Sequence, residues 1–143
     1  EGVFELFPRL RFGCLECGIG WVPYMMDRMD EEQERKGQYS PRCKLKPSEY
    51  IRRGNVFFAA EVGETALPLA AQVAGSDAII WASDYPHERD QRDFSQDIPT
   101  LIGRKDISDE LKRKIFLDNP LRFYPRLSAR LEKKEARSRA TAG

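Results

Sequence analysis

Histidine is almost missing from this chain: His87 is the single one in 143 residues. A divalent metal site takes about three protein ligands, commonly with imidazoles among them, so a histidine-built site cannot come from this chain alone. Cysteine is scarce and odd in number, with three, which excludes a fully paired disulfide framework. An excess of either charge is missing too. Lys and Arg number 24, Asp and Glu 23, and the formal net charge is +1, which gives no basis for a nucleic-acid or acidic-membrane partner. No apolar run approaches the roughly 18 residues that a bilayer crossing takes, and no charged-then-apolar leader opens the chain. There is no close internal repeat and no low-complexity segment. The missing leader and the odd cysteine count point to a reducing, cytoplasmic setting. The first residue is Glu1, not Met, and the chain reads as a piece of a longer protein, a natural processed start being the other reading.

What is present is an ordinary globular composition, 41% hydrophobic and 33% charged, in a length that allows one domain with a real core. The segment 78–83 is an apolar run, Ala78-Ile79-Ile80-Trp81-Ala82-Ser83, that leads into Asp84 and is stopped by Pro86. Apolar on both alternating faces and bounded by turn signals, it reads as a fully buried strand. Residues 10–15 and 55–60 read as two more strands. Helices are expected over 20–35, with Pro23 tolerable in the first turn, from a Ser48 cap to Arg53, over 65–74 and over 94–102. A further helix is expected from an N-cap at Ser108 to a stop before Asn119-Pro120. The tail 127–143 is basic and is expected as a frayed helix or a disordered run, outside the segment 1–126. The resulting β-α-β-α-β-α order means parallel strands joined by right-handed crossovers.

Counting by twos along each strand places Phe12, Cys14 and Glu16 on one face, Phe57, Ala59 and Glu61 on another, and Ile80, Ala82 and Asp84 on a third. Glu16, Glu61 and Asp84 would then end three successive strands at the C-terminal edge of the sheet, where α/β enzymes place their chemistry. Three unpaired acids at one rim repel, and a divalent cation or a basic substrate group relieves that repulsion. Blander readings stand beside this one: a strand-end acid can cap the next helix or pair with an arginine. His87 can bind substrate or metal, or pair with Glu88 or Asp90. Cys14-x-x-Cys17 has zinc or redox spacing, but strand alternation sends the two sulfurs apart, and reduced structural cysteines are expected. Gly18-x-Gly20 before a helix is a weak phosphate-cradle signal. Trp21 falls on the apolar stripe of its helix with Val22, Met25, Met26 and Met29, where it packs in the core or walls a pocket.

The segments 2–12, 20–24 with Asp27-Arg28, 46–50, 82–87 and 119–124 together resemble the amidohydrolase-related family of metal-dependent (β/α)8 barrels, which includes aminocarboxymuconate-semialdehyde decarboxylase and resorcylate-type decarboxylases. The resemblance implies an α/β fold, the C-terminal part of a TIM barrel, about strands six to eight, incomplete in this chain. It implies that Asp84 is the metal-binding aspartate ending the last strand, with a share in activating water or handling a proton. Glu16 falls where the decarboxylases carry a catalytic histidine, so this chain departs from them at the proton-transfer position. As candidates, Asp84 and Glu16 carry the chemistry, and His87, Glu61 and Trp21 contact the substrate. The cofactor implied is a divalent metal, zinc by analogy, with further ligands from the missing N-terminal half. The family's His-x-His pair and middle-strand histidine are not in this sequence. The function implied is that of a hydrolase or non-oxidative carboxy-lyase acting on a small organic acid or amide, the fragment alone being inactive. The alternative is a non-catalytic barrel remnant acting as an interaction module. Partners expected are a small-molecule substrate, the missing half of the barrel and a possible second copy of the chain. Three strands alone would leave two open edges and one bare apolar face, so a marginal, aggregation-prone or self-associating fragment is expected. The runner-up is a small free-standing open α/β sheet.

Overall fold

Apolar runs too short for helices become the strands of this molecule. The computed structural model describes residues 2–87 and 93–141. Strands β1 (Phe12–Cys14), β2 (Val56–Ala60) and β3 (Ile79–Trp81) form a parallel sheet in that order. Gly13 pairs with Phe57, Cys14 and Ile79 both with Phe58, and Ile80 with Ala59. The outer two strands are shorter than the sequence predicts, because a ladder lasts only while its neighbour runs alongside.

Among the described residues, eight α-helices accompany the sheet: α1 (Val3–Leu6), α2 (Val22–Lys36), α3 (Pro47–Arg52), α4 (Leu67–Ala74), α5 (Asp97–Gly103), α6 (Asp109–Arg113), α7 (Asn119–Phe123) and α8 (Pro125–Thr141). Pro23, Pro47 and Pro68 all lie in first turns, where the missing N–H leaves no gap. Ser108 caps α6 as predicted, its hydroxyl accepting the Leu111 N–H at 3.1 Å.

Four expectations are corrected. Ser48 is not the cap of α3 but its second residue. Asp30 of α2 reaches across, accepting the Ser48 N–H at 2.9 Å and its hydroxyl at 2.6 Å, while Glu49 takes the Lys46 N–H at 2.7 Å. The segment from Phe94 opens as a 3₁₀ turn to Gln96 before α5 begins. The helix after Ser108 does not stop before Asn119-Pro120. It widens into a π-helical turn over Lys114–Asp118, the Asn119 N–H bonding the Lys114 carbonyl, and runs on into α7. Such a turn accommodates a proline ring within a continuing helix. The described part of the tail is helical, in α8 (Pro125–Thr141).

The fourth correction concerns the bare face. One side of the sheet packs Phe58, Ala60 and Ile79 against Val22, Met26, Leu67 and Leu101 of the helices. The other carries Phe57, Ala59 and Ile80, and these are also buried, Phe57 with 0% exposure. Phe123, just before α8, folds over them and meets the Phe57 ring edge-on at 5.1 Å. Gly13 makes room for it: a Cβ there would lie 2.9 Å from Phe123 Cζ.

Candidate functional site at the strand ends

Asp84 and Glu16 follow β3 and β1, and both leave the extended backbone abruptly. Each has φ of 58°. Among the described residues these are the two non-glycine residues in the left-handed region, a conformation that costs on the order of 1 kcal/mol or more and clusters at functional sites. After β3 the turn is closed by the His87 N–H on the Asp84 carbonyl at 2.9 Å and the Tyr85 N–H on Ser83 Oγ at 3.3 Å. The Tyr85–Pro86 peptide is cis. The turn brings His87 Nδ1 to 3.1 Å from Asp84 Oδ1 and 3.9 Å from Glu16 Oε2.

One potential ligand atom from each of Glu16, Asp84 and His87 therefore lies within 4.8 Å of the others. Asp84 is the most enclosed, its side chain 30% exposed against 54% for Glu16 and 66% for His87. The group is open to solvent. The predicted trio is thus brought together in part, with His87 in place of Glu61. Glu61 is exposed, and the Glu64 carboxylate takes its N–H at 2.9 Å.

Glu16 arrives by a route the period-two count did not foresee. Cys14 packs against the helix-covered core and Gly13 faces Phe123, so continued alternation would carry Glu16 to the helix side, not to the side that carries Phe57, Ala59 and Ile80. The ladder ends at Cys14 instead, and the left-handed turn at Glu16 swings its carboxylate to the rim. Glu88 and Asp90, alternative partners for His87, lie outside the described residues.

Trp21 is placed elsewhere. Its ring meets Phe58 edge-on at 5.6 Å on the helix-covered side, and its indole N–H reaches the Gly18 carbonyl at 3.0 Å and that of Cys17 at 3.1 Å. Trp21 also lines a cavity of about 390 Å³ with Cys14, Met25, Met29, Tyr50 and Phe58. That cavity is apolar and includes none of the rim trio. The Gly18-x-Gly20 amides do not form an open cradle, because Glu64 Oε1 accepts the N–H of Ile19 at 2.7 Å and of Gly20 at 3.2 Å. All three cysteines are free thiols. Burial, and then the neighbouring Cys17, push the Cys14 thiol above its ordinary range, which disfavours the thiolate that metal binding needs. Sequence reasoning missed Glu64, for its partners in the loop after β1 lie 44 and 45 residues away, and its local bond to the Glu61 N–H three residues back does not point to them.

A family model described as amidohydrolase matches residues 1–126. No curated protein matches the chain. Among solved structures, an amidohydrolase from Mycobacterium avium subsp. paratuberculosis K-10 is 31% identical, with a TM-score of 0.69 over 85% of this chain and 29% of its own. The 5-carboxyvanillate decarboxylase of Sphingomonas paucimobilis is 28% identical, with a TM-score of 0.65 over 87% of this chain and 36% of its own. The 5-carboxyvanillate decarboxylase of Novosphingobium aromaticivorans DSM 12444, solved with manganese and 4-hydroxy-3-methoxy-5-nitrobenzoic acid, is 23% identical, with a TM-score of 0.66 over 87% of this chain and 35% of its own. That last likeness shows the fold alone. The chain spans between 29% and 36% of the length of these solved relatives, and its three parallel strands are an arc of their (β/α)8 barrel. The chain belongs to the amidohydrolase family.

Proposed function

We propose that this chain supplies the acidic rim of a metal-dependent hydrolase or non-oxidative carboxy-lyase acting on a small organic acid or amide. The observation that carries the reading is the convergence of Glu16, Asp84 and His87 at two strand ends, both acids on left-handed backbone. The donor set suits a divalent cation: two hard carboxylate oxygens and an imidazole nitrogen, within reach of one ion. Zinc and manganese both accept such donors. Asp84 is the ligand this chain contributes first, with Glu16 and His87 beside it. When bound, such a cation supplies Lewis acidity, lowering the pKa of a water or polarising a substrate carboxylate.

The protein's own groups do the rest. Glu16 is positioned to accept a proton or to orient the substrate, being exposed beside Asp84. His87 Nδ1, held by Asp84, leaves its other ring nitrogen to meet the substrate. Further ligands come from the barrel units beyond this arc, where the reading expects a His-x-His strand.

The test is metal content of the protein with its barrel complete, for wild type and Asp84→Asn. The variant is expected to lose at least about tenfold in metal affinity. Unchanged occupancy removes Asp84 from the ligand set. An in-frame stop directly upstream of Glu1, with no separate polypeptide carrying the histidines, sinks the enzyme reading. It leaves instead a non-catalytic interaction module, the reading favoured by the presence of a single histidine in the chain.

A further inference from the structure

Glu64 belongs to no element of the rim trio, yet it holds together the loops that carry it. Its carboxylate accepts three backbone N–H groups from two separate strand-end loops. Oε1 takes Ile19 at 2.7 Å and Gly20 at 3.2 Å, in the loop after β1. Oε2 takes Glu61 at 2.9 Å, in the loop after β2. Gly18, with φ of 61°, lies so close that a Cβ there would stand 2.5 Å from Oε1. The Trp21 indole N–H also donates to the Cys17 and Gly18 carbonyls. The four residues 17–20 are thus held by a carboxylate on their N–H groups and an indole on their carbonyls, and Glu16 is the residue immediately before them. The loop that holds Glu64 is tied down in turn, because Arg104 donates to the Val62 carbonyl at 3.1 Å.

We infer that Glu64 is a positioning residue: by clamping the loop after β1 to the loop after β2, it holds Glu16 in the left-handed conformation that aims its carboxylate at Asp84 and His87. An ionised carboxylate suits this task because it accepts several N–H groups at once, and charge-assisted bonds are the stronger kind. A left-handed glutamate persists only where its surroundings over-determine it, and the clamp is the group here that does so. The inference rests on Glu16 belonging to the functional rim, but its structural half can be tested without any metal.

The experiment compares wild type, Glu64→Ala and Glu64→Gln by NMR in the protein with its barrel complete, so that the β1 edge is paired. Amide exchange is read at Ile19, Gly20 and Glu61, and the φ of Glu16 from its HN–Hα coupling and Cα shift. Glu64→Ala is expected to speed exchange at those three amides by about tenfold or more and to move Glu16 toward extended φ, while the Phe58 and Ile79 amides keep their protection. Glu64→Gln, which retains one acceptor oxygen, is expected to recover part of the protection and of the Glu16 φ. If Glu64→Ala does not fold, the same shifts at reduced size in Glu64→Gln decide the matter. Unchanged exchange at Ile19 and Gly20, or an unchanged Glu16 φ in the variants, overturns the inference. Manganese titration of the completed barrel then separates the two readings. Binding in wild type that weakens in Glu64→Gln supports both. Binding unaffected by Glu64→Gln, despite a displaced Glu16, overturns the positioning of a metal-site residue. No binding in wild type fails the proposed function and leaves the clamp to be judged on the NMR result.

Discussion

Tyr50 gathers distant parts of the chain around one oxygen. Its hydroxyl donates to Glu5 Oε1 at 2.6 Å and accepts the N–H of Lys44 at 3.0 Å and of Leu45 at 3.3 Å. Burial, and then the hydrogen bond to Glu5, raise the phenol above its ordinary pKa near 10. The sign follows: the unfolded chain releases this proton first, so the stability Tyr50 provides is full below pH ~10 and is lost as pH rises through the folded value. Tyr50→Phe is expected to cost about 1–3 kcal/mol at neutral pH, since two N–H donors lose their acceptor. It should also flatten the alkaline fall in stability above pH ~10, measured by urea unfolding across pH. Gly18 makes the complementary case. An alanine there meets both a left-handed φ and the Glu64 carboxylate. Gly18→Ala is expected to lose about 1–2 kcal/mol, read as a lower urea midpoint with an unchanged slope.

The helices are held to the sheet by a few buried polar side chains as well as by apolar contact. Asn119, 1% exposed at the start of α7, donates to the Ser76 carbonyl at 2.8 Å and the Ile79 carbonyl at 2.6 Å. It pins the π-helical turn and α7 against the entry to β3. Asn119→Ala leaves both carbonyls without this donor and is expected to cost about 2–4 kcal/mol, measured by urea unfolding. A loss below about 1 kcal/mol would mean that water replaces the amide. This element also shows where sequence reading stops. The strands were legible as apolar runs between turn signals, and the Ser108 cap as a serine before two acids. Asn119-Pro120 looked like a stop because proline ends helices in the absence of other information, whereas here a widened turn and an asparagine reaching back to β3 keep the helix going. At the rim, Asp84 and His87 were legible because Pro86 and the apolar run mark the strand end. Glu16 was found through a parity count that the structure does not follow, and Glu64 was invisible because hydrogen bonds between loops leave no trace in local spacing.

The whole molecule is an arc of sheet with β1 and β3 at its edges. Phe123 covers the Phe57 face, and one stretch of exposed apolar side chains lies along the approach to β1. Leu6, Phe7 and Leu10 are exposed there, and Phe12, within β1 itself, is 56% exposed. An unpaired strand edge flanked by apolar side chains invites another strand. In the barrel of the relatives that edge is paired, so its apolar character is a property of an interior strand. The chain alone is therefore expected to self-associate, with a sedimentation coefficient that rises over the micromolar range. Phe12→Glu should reduce this more than a charge placed at exposed Leu69 of α4, because only the first sits beside open backbone donors and acceptors. The substitution should leave the unfolding free energy within about 1 kcal/mol of wild type, since an exposed side chain contributes little to the fold. A concentration-independent monomer with a sharp melting transition would mean that the three-stranded sheet is self-sufficient, the β1 edge being protected by its own flanking segment.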